Sequence, residues 1–235
     1  MMQREYSGGR PVAGVAAALQ ESVTRVFFWM AFGVGVTALT AMGIASSDSL
    51  VDQIQSNSLL WLLIVFAQLG VVVAFGTLSQ RVSSTALAAL FLGFSALVGV
   101  TFAAVFLAYT KESIASTFFI TAGTFAVVGL FGWTTKRDLT NVGALAFMGL
   151  IGVILASVVN IFLRSSTLTW IVTFVGIAVF VGLTAHDIQK MKQDAGALTL
   201  DGSDRERWAL RWALNLYLDF INLFLFFLRI FGSRR

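Results

Sequence analysis

NLYLDFINLFLFFLRIF, residues 215–231, is the stretch whose reading decides the fold. With the residues before it, it extends to an apolar run over about 208–231, long enough to cross a hydrocarbon core of about 30 Å at 1.5 Å per residue. One acid, Asp219, lies about eleven residues into the run, about 16 Å along the axis from Trp208. A charge at that depth costs roughly 3 kcal/mol or more, so it marks a functional position by default. Asn215, Asp219 and Asn222 follow an i, i+4, i+7 spacing and share one helix face, with Tyr217 on the other side. A polar stripe on such a helix has to face the bundle interior or water. The helix is therefore expected at the centre of a bundle, with Asn215 and Asn222 lining its interior.

Working outward, the rest of the chain repeats the pattern. The protein has 235 residues, 57% hydrophobic and 12% charged, with 21 glycines and one proline, Pro11. A soluble domain carries about 25% charged residues, so this chain has too little polar surface to cover a core in water. Runs near 26–45, 58–78, 85–108, 114–133, 142–163, 167–186 and 208–231 are each long enough to span. Lipid offers no hydrogen bonds, so each span is expected to be helical. The expected architecture is an all-α membrane protein: a polar N-terminal tail over 1–25, then a single domain of about seven transmembrane helices over 26–235, the last one central. The connections SSDSLVDQIQSN, LSQRVSS, YTKES, TTKRDLT and LRSS are short, and only the sixth, about 189–207, has any size. No cleavable signal segment precedes the first run.

Positive charge orients the spans. Arg4, Arg10 and Arg25 precede the first, whereas Asp48 and Asp52 follow it. Arg81, Lys136, Arg137, Lys190, Lys192, Arg205 and Arg207 fall in the even-numbered connections; the third and fifth hold only Lys111 and Arg164. The rule that cytoplasmic loops are basic then puts the N-terminus in the cytoplasm. The tail residues Arg234 and Arg235 conflict with it. Either they are outvoted, or one span is re-entrant.

Composition narrows the chemistry. There is no cysteine and a single histidine, His186, too few ligands for a zinc site. The net charge of +4 and pI of about 9.9 come from bases scattered between spans, not from a stripe that would fit nucleic acid. The second acid of interest, Asp187 in GLTAHDIQKMK, lies at the end of the sixth span. That helix can continue through IQKMKQDA, and Ser203 and Glu206 form a candidate capping box for the last one. Two carboxylates brought together in a low-dielectric site cannot both ionise cheaply; they share a proton and titrate as a coupled pair. Deprotonation drives them apart or invites a cation, which makes the pair a proton switch and a candidate Ca²⁺ ligand set. The plainer readings are a solvated Asp187 beside His186 and Lys190, and a structural Asp219 paired with a base. Likewise Gln68 reads as interhelical glue, Arg81 as a topology charge, and Arg229 as a side chain snorkelling to the interface.

No enzyme is expected. An intramembrane aspartyl protease also uses two aspartates on adjacent helices, but TAHDIQK and YLDFINL lack the Tyr-Asp and Gly-x-Gly-Asp patterns of that class. HExxH and a Gly-rich phosphate loop are absent as well.

LYLDFINLFLFFLRIFG, GLTAHDIQK and ASTFFITAGTFAVVGLFGWTTKRDL resemble the C-terminal signature, sixth-helix motif and fourth-helix region of the transmembrane Bax inhibitor motif family, in its bacterial branch. The resemblance covers nearly the whole chain from about Arg25. It implies a seven-helix protein of the bacterial inner membrane acting as a pH-sensitive Ca²⁺ leak channel, with Asp187 and Asp219 as a di-aspartyl proton sensor and candidate Ca²⁺ ligands. Arg81 would be the latch that holds the sensor when the channel is closed. No cofactor is implied; the partners are the bilayer, Ca²⁺ and protons. The alternative it allows is a non-conducting protein that modulates membrane proteases or cell-survival machinery. Two departures stand out. Gln68 occupies the place of a second-helix glutamate that some members pair with the arginine matched by Arg229, which weakens Ca²⁺ attraction there. His186 stands where an aromatic is common, and beside Asp187 it could tune the sensor.

Overall fold

A computed structural model describes residues 12–197 and 202–235. Among them eight helices run in sequence: α1 Val12–Ala45, α2 Asp48–Ser56, α3 Ser58–Leu78, α4 Ser84–Ala108, α5 Lys111–Thr134, α6 Thr140–Leu163, α7 Ser166–Ala197 and α8 Gly202–Phe231. Seven are long and apolar enough to cross a membrane, α2 being the exception. The seven expected spans are all present, and the protein is an all-α membrane protein. The differences are at the ends. α1 begins at Val12, so the second half of the stretch read as a polar tail is helical; residues 1–11 lie outside the described residues. α7 continues to Ala197, and α8 starts at Gly202, so Ser203 lies inside the helix and not at its cap. The first connection, read as a loop, contains α2, whose Asp48 opens the helix where its dipole favours an acid.

Short polar residues set the remaining boundaries. Asn57, Ser83 and Thr110 accept hydrogen bonds from the amides of Leu60, Ala86 and Ser113, capping α3, α4 and α5. The α6–α7 turn passes through Arg164 in the left-handed region (φ 50°). Asn160 holds that turn: its Oδ1 accepts from the Ser165 amide (2.9 Å) and its Nδ2 donates to Thr169 Oγ1 (2.7 Å).

α8 is the axis of the bundle, packed by α1, α4, α5 and α7. Trp208, Leu216, Tyr217, Leu223 and Leu228 are among its buried side chains. α1 and α4 approach closely because Gly99 presents no side chain: a Cβ there would strike the Thr37 carbonyl and the Thr40 side chain. At the floor of this contact the Tyr217 hydroxyl reaches Thr37 Oγ1 (2.6 Å), which also lies 2.9 Å from the Ser95 carbonyl. α3 and α6 sit outside, with Leu63, Phe66, Phe147 and Leu155 exposed where lipid would cover them.

The C-terminal tail bears on the topology conflict. Thr110 N donates to Ser233 O (3.0 Å), Arg235 N to Ala108 O (3.1 Å), and the Arg234 guanidinium lies over the Tyr109 ring. The tail is therefore tied to the α4–α5 connection, on the side of the bundle opposite the start of α1. α8 is a continuous 30-residue helix, one of seven long and apolar enough to cross a membrane, and it gives the re-entrant alternative no support. Arg234 is held by its ring contact even though its charge argues for the other side.

Candidate functional site

The site is built by α7 and α8. Phe226 packs over Gly176, and Arg229 donates to Thr173 Oγ1 (3.3 Å), which fixes the antiparallel register of the two helices. Carried along them, this register sets Asp187 level with Asn215 and Asp219 level with Leu183. The two acids are then about 6 Å apart along the axis, close to one helical turn. The extension of α7 to Ala197 is what lets Asp187 stand beside α8 and not at a free helix end. The carboxylates are near enough to act on one another electrostatically.

Their surroundings differ. Asp219 is 5% exposed, and its Oδ2 is buried with no hydrogen-bond partner. Among the described residues no base pairs with it. Asp187 is half-buried, and its Oδ1 lies 2.8 Å from Nδ1 of His186. The imidazole in turn lies against Gly143 at the start of α6, where a Cβ would collide with the ring. Among the described residues no group of three His or acid side chains is placed to hold a metal ion.

The polar stripe divides. Asp219 points inward. Asn222 is half-buried and donates to the Leu218 carbonyl one turn back (2.7 Å), and Asn215 is exposed. Arg211, Asn215, Leu218, Asn222 and Arg229 form one face of α8 that is exposed or half-buried along its length. Asp219 stands at the edge of this open face, rotated about 40° from Asn215 toward the core at 100° per residue.

The other sequence candidates lie apart. Arg81 sits in the α3–α4 turn with its side chain exposed and pairs with neither aspartate. Gln68 Nε2 donates to Leu97 O (3.0 Å) and approaches Thr101 Oγ1 (3.5 Å), so it ties α3 to α4, far from any pairing with Arg229. Arg229 lies on the α7 side of α8 with its guanidinium 5.9 Å from the Phe226 ring centroid.

Sequence reasoning passed over Gln189. It is 7% exposed and secures the α5–α6 turn to α7: its Oε1 accepts from Leu139 N (2.9 Å) and its Nε2 donates to Arg137 O (2.8 Å). Lys192 Nζ donates to Trp133 O (2.7 Å) beside it. Asp138 in the same turn accepts from the hydroxyl and amide of Thr140, and these two donors hold its carboxyl below the usual carboxylate range. The segments TTKRDLT and HDIQKMK are thus one unit, and it fixes the backbone that carries Asp187. The sequence signal was an amide two residues past a membrane acid. The cluster of Glu206 with Arg25 (2.8 Å) and Trp29 Nε1 (2.5 Å) was also missed; it uses the supposed capping glutamate to join α8 to α1.

Comparison with known proteins covers the same span of chain. The family model described as inhibitor of apoptosis-promoting Bax1 matches residues 19–235. The inner membrane protein YbhL of Escherichia coli strain K12 is 44% identical over 220 residues, covering 93% of this chain and 94% of that protein. A protein of Borreliella burgdorferi is 41% identical over 91% of this chain and 92% of its own length. The protein YrjE of Lactococcus lactis is 35% identical, with 89% of each covered.

Proposed function

This chain belongs to the family of inhibitors of apoptosis-promoting Bax1 as an integral membrane protein, and on that premise we propose that it forms a proton-controlled leak path for cations, Ca²⁺ first among them. The observation that carries the reading is Asp219: a buried acid in the middle of the central helix, one oxygen without a partner, one turn from a second acid. A purely structural acid in lipid would be expected to hold a base. Protons and cations compete for the oxygens of such a pair, which is the simplest way to couple permeation to pH. The open face of α8 with Asn215 and Asn222 supplies polar surface leading to it. His186 modulates Asp187, and Arg81 serves as a latch only in a state in which its side chain turns toward the aspartates from the α3–α4 turn, which Arg207 of α8 already holds through Val82 O (3.1 Å). No covalent chemistry and no cofactor enter this reading. We place the protein in the inner membrane with its N-terminus cytoplasmic; the name of the Escherichia coli relative and the charge pattern of the connections support that.

The test is flux. Full-length protein in liposomes loaded with a Ca²⁺ dye is expected to pass Ca²⁺ faster than empty vesicles, at a rate that changes with pH, because protons and cations compete for the oxygens of the pair. No flux at any pH would remove the channel and leave the alternative, a non-conducting partner of membrane proteases or survival machinery.

A further inference from the structure

α1 packs on α4 and α8, and α5 packs on α7 and α8. Between α1 and α5, beside the end of α4, the helices leave a gap over α8. A cavity of about 990 Å³ opens there, with Phe220, Ile221 and Phe224 as its floor. Its walls are apolar: Leu39 and Met42 from α1, Phe118 and Phe119 from α5, all exposed. Only its rim is charged, by Lys111 and Arg235.

We infer that this cleft is a binding site for one anionic phospholipid, of the leaflet on the side opposite the start of α1. Three features support it. First, the length fits. The cleft follows α1 from Val34 to Ser46, about 18 Å at 1.5 Å per residue, close to the ~15 Å depth of one leaflet's hydrocarbon. It therefore begins at the membrane surface and stops near mid-membrane, as an acyl chain does. Second, the charge is in the right place. Both bases stand at the surface end, where a headgroup phosphate would lie. Among the described residues neither Lys111 nor Arg235 is in an ion pair, and neither Asp48 nor Glu112 lines the cavity. Third, the rim is held in place. The Arg235 amide is bonded to Ala108 O, and the neighbouring Thr110 amide to Ser233 O. This brings the tail base to the first residue of α5. A pair of bases over an apolar slot attracts an anionic lipid more than a zwitterionic one.

The experiment is native mass spectrometry of the full chain in detergent with equal amounts of palmitoyl-oleoyl phosphatidylglycerol and phosphatidylcholine. Phosphatidylglycerol is expected to be retained in preference by on the order of tenfold, given the attraction of two bases near an anionic headgroup. Lys111→Gln with Arg235→Gln should reduce that preference to near parity. Ala115→Trp, which fills the cleft and leaves the rim charges, should lower retention of both lipids. Excess inorganic phosphate should not displace the lipid. Equal retention of the two lipids by the unmodified chain overturns the inference. So does an unchanged preference in the double variant, unchanged retention in Ala115→Trp, or displacement by phosphate, which would indicate a site for free anions. None of the changes alters Asp187 or Asp219 and the readout is lipid retention, not flux, so failure here is separable from failure of the flux reading.

Discussion

α3 and α8 are both helices of membrane-crossing length, and they occupy opposite extremes of the bundle. Only 6% of the most apolar window of α3 is buried, against 56% for α8, although α8 carries Asp219, Asn215, Asn222 and Arg229 and α3 carries no charge, only Gln68 and the hydroxyls of Ser58 and Thr77. In water the more apolar helix would be the inner one. In a bilayer lipid solvates α3 as well as any protein surface would, and polar groups are what need neighbours. Position in this bundle follows polar demand and close approach, not hydrophobicity.

Identical substitutions in the two helices test that contrast. Leu216→Ala on α8, at a site with no exposure, is expected to cost about 2 kcal/mol or more through the cavity it leaves. Leu63→Ala on α3, 58% exposed, should fall within about 0.5 kcal/mol. Thermal unfolding in detergent followed by circular dichroism measures both. Equal losses would break the comparison.

The next effect concerns what holds α3 at all. Gln68→Leu removes the donor to Leu97 O and Thr101, and an interhelical hydrogen bond in a membrane contributes on average about 0.6 kcal/mol. Hydrogen exchange or cysteine accessibility along α3 should increase while α8 stays protected. If α3 is unaffected, its seat on α4 depends on apolar packing alone.

The smallest stability effect is expected at the open face of α8. Asn215→Leu alters an exposed side chain, so the stability should hold within about 0.5 kcal/mol, while Ca²⁺ flux falls because the polar approach to Asp219 is shortened. Unchanged flux would mean that this face does not lead to the acids.

How much of this was legible beforehand follows the same physics. Every span could be read from apolar length, and the centrality of α8 from its polar stripe, because both depend only on what lipid tolerates. The stripe's division was not legible: Asp219 and Asn215 differ by only about 40° around the helix, and which one faces inward depends on where the neighbouring helices stop covering α8. The α7 extension was allowed by residue types, but the level of Asp187 had to await the Gly176–Phe226 contact that sets the register. Gln189 was not singled out because its partners, Arg137 O and Leu139 N, are backbone groups some fifty residues away, invisible to spacing within one helix. Glu206 was misassigned for a related reason, since a local capping pattern and a long-range pair to Arg25 and Trp29 look alike in one dimension.

The account rests on Asp187 and Asp219 acting as one titrating unit, and the pH profile of Ca²⁺ flux for the four members of the Asp187→Asn, Asp219→Asn cycle tests it most directly. Asparagine stands in for a neutral acid. Each single variant is expected to show a flat profile near the low-pH level of the unmodified protein, with the double variant adding little, because groups that act together are non-additive. A normal pH response in Asp187→Asn, or losses in the two single variants that simply add, would contradict it.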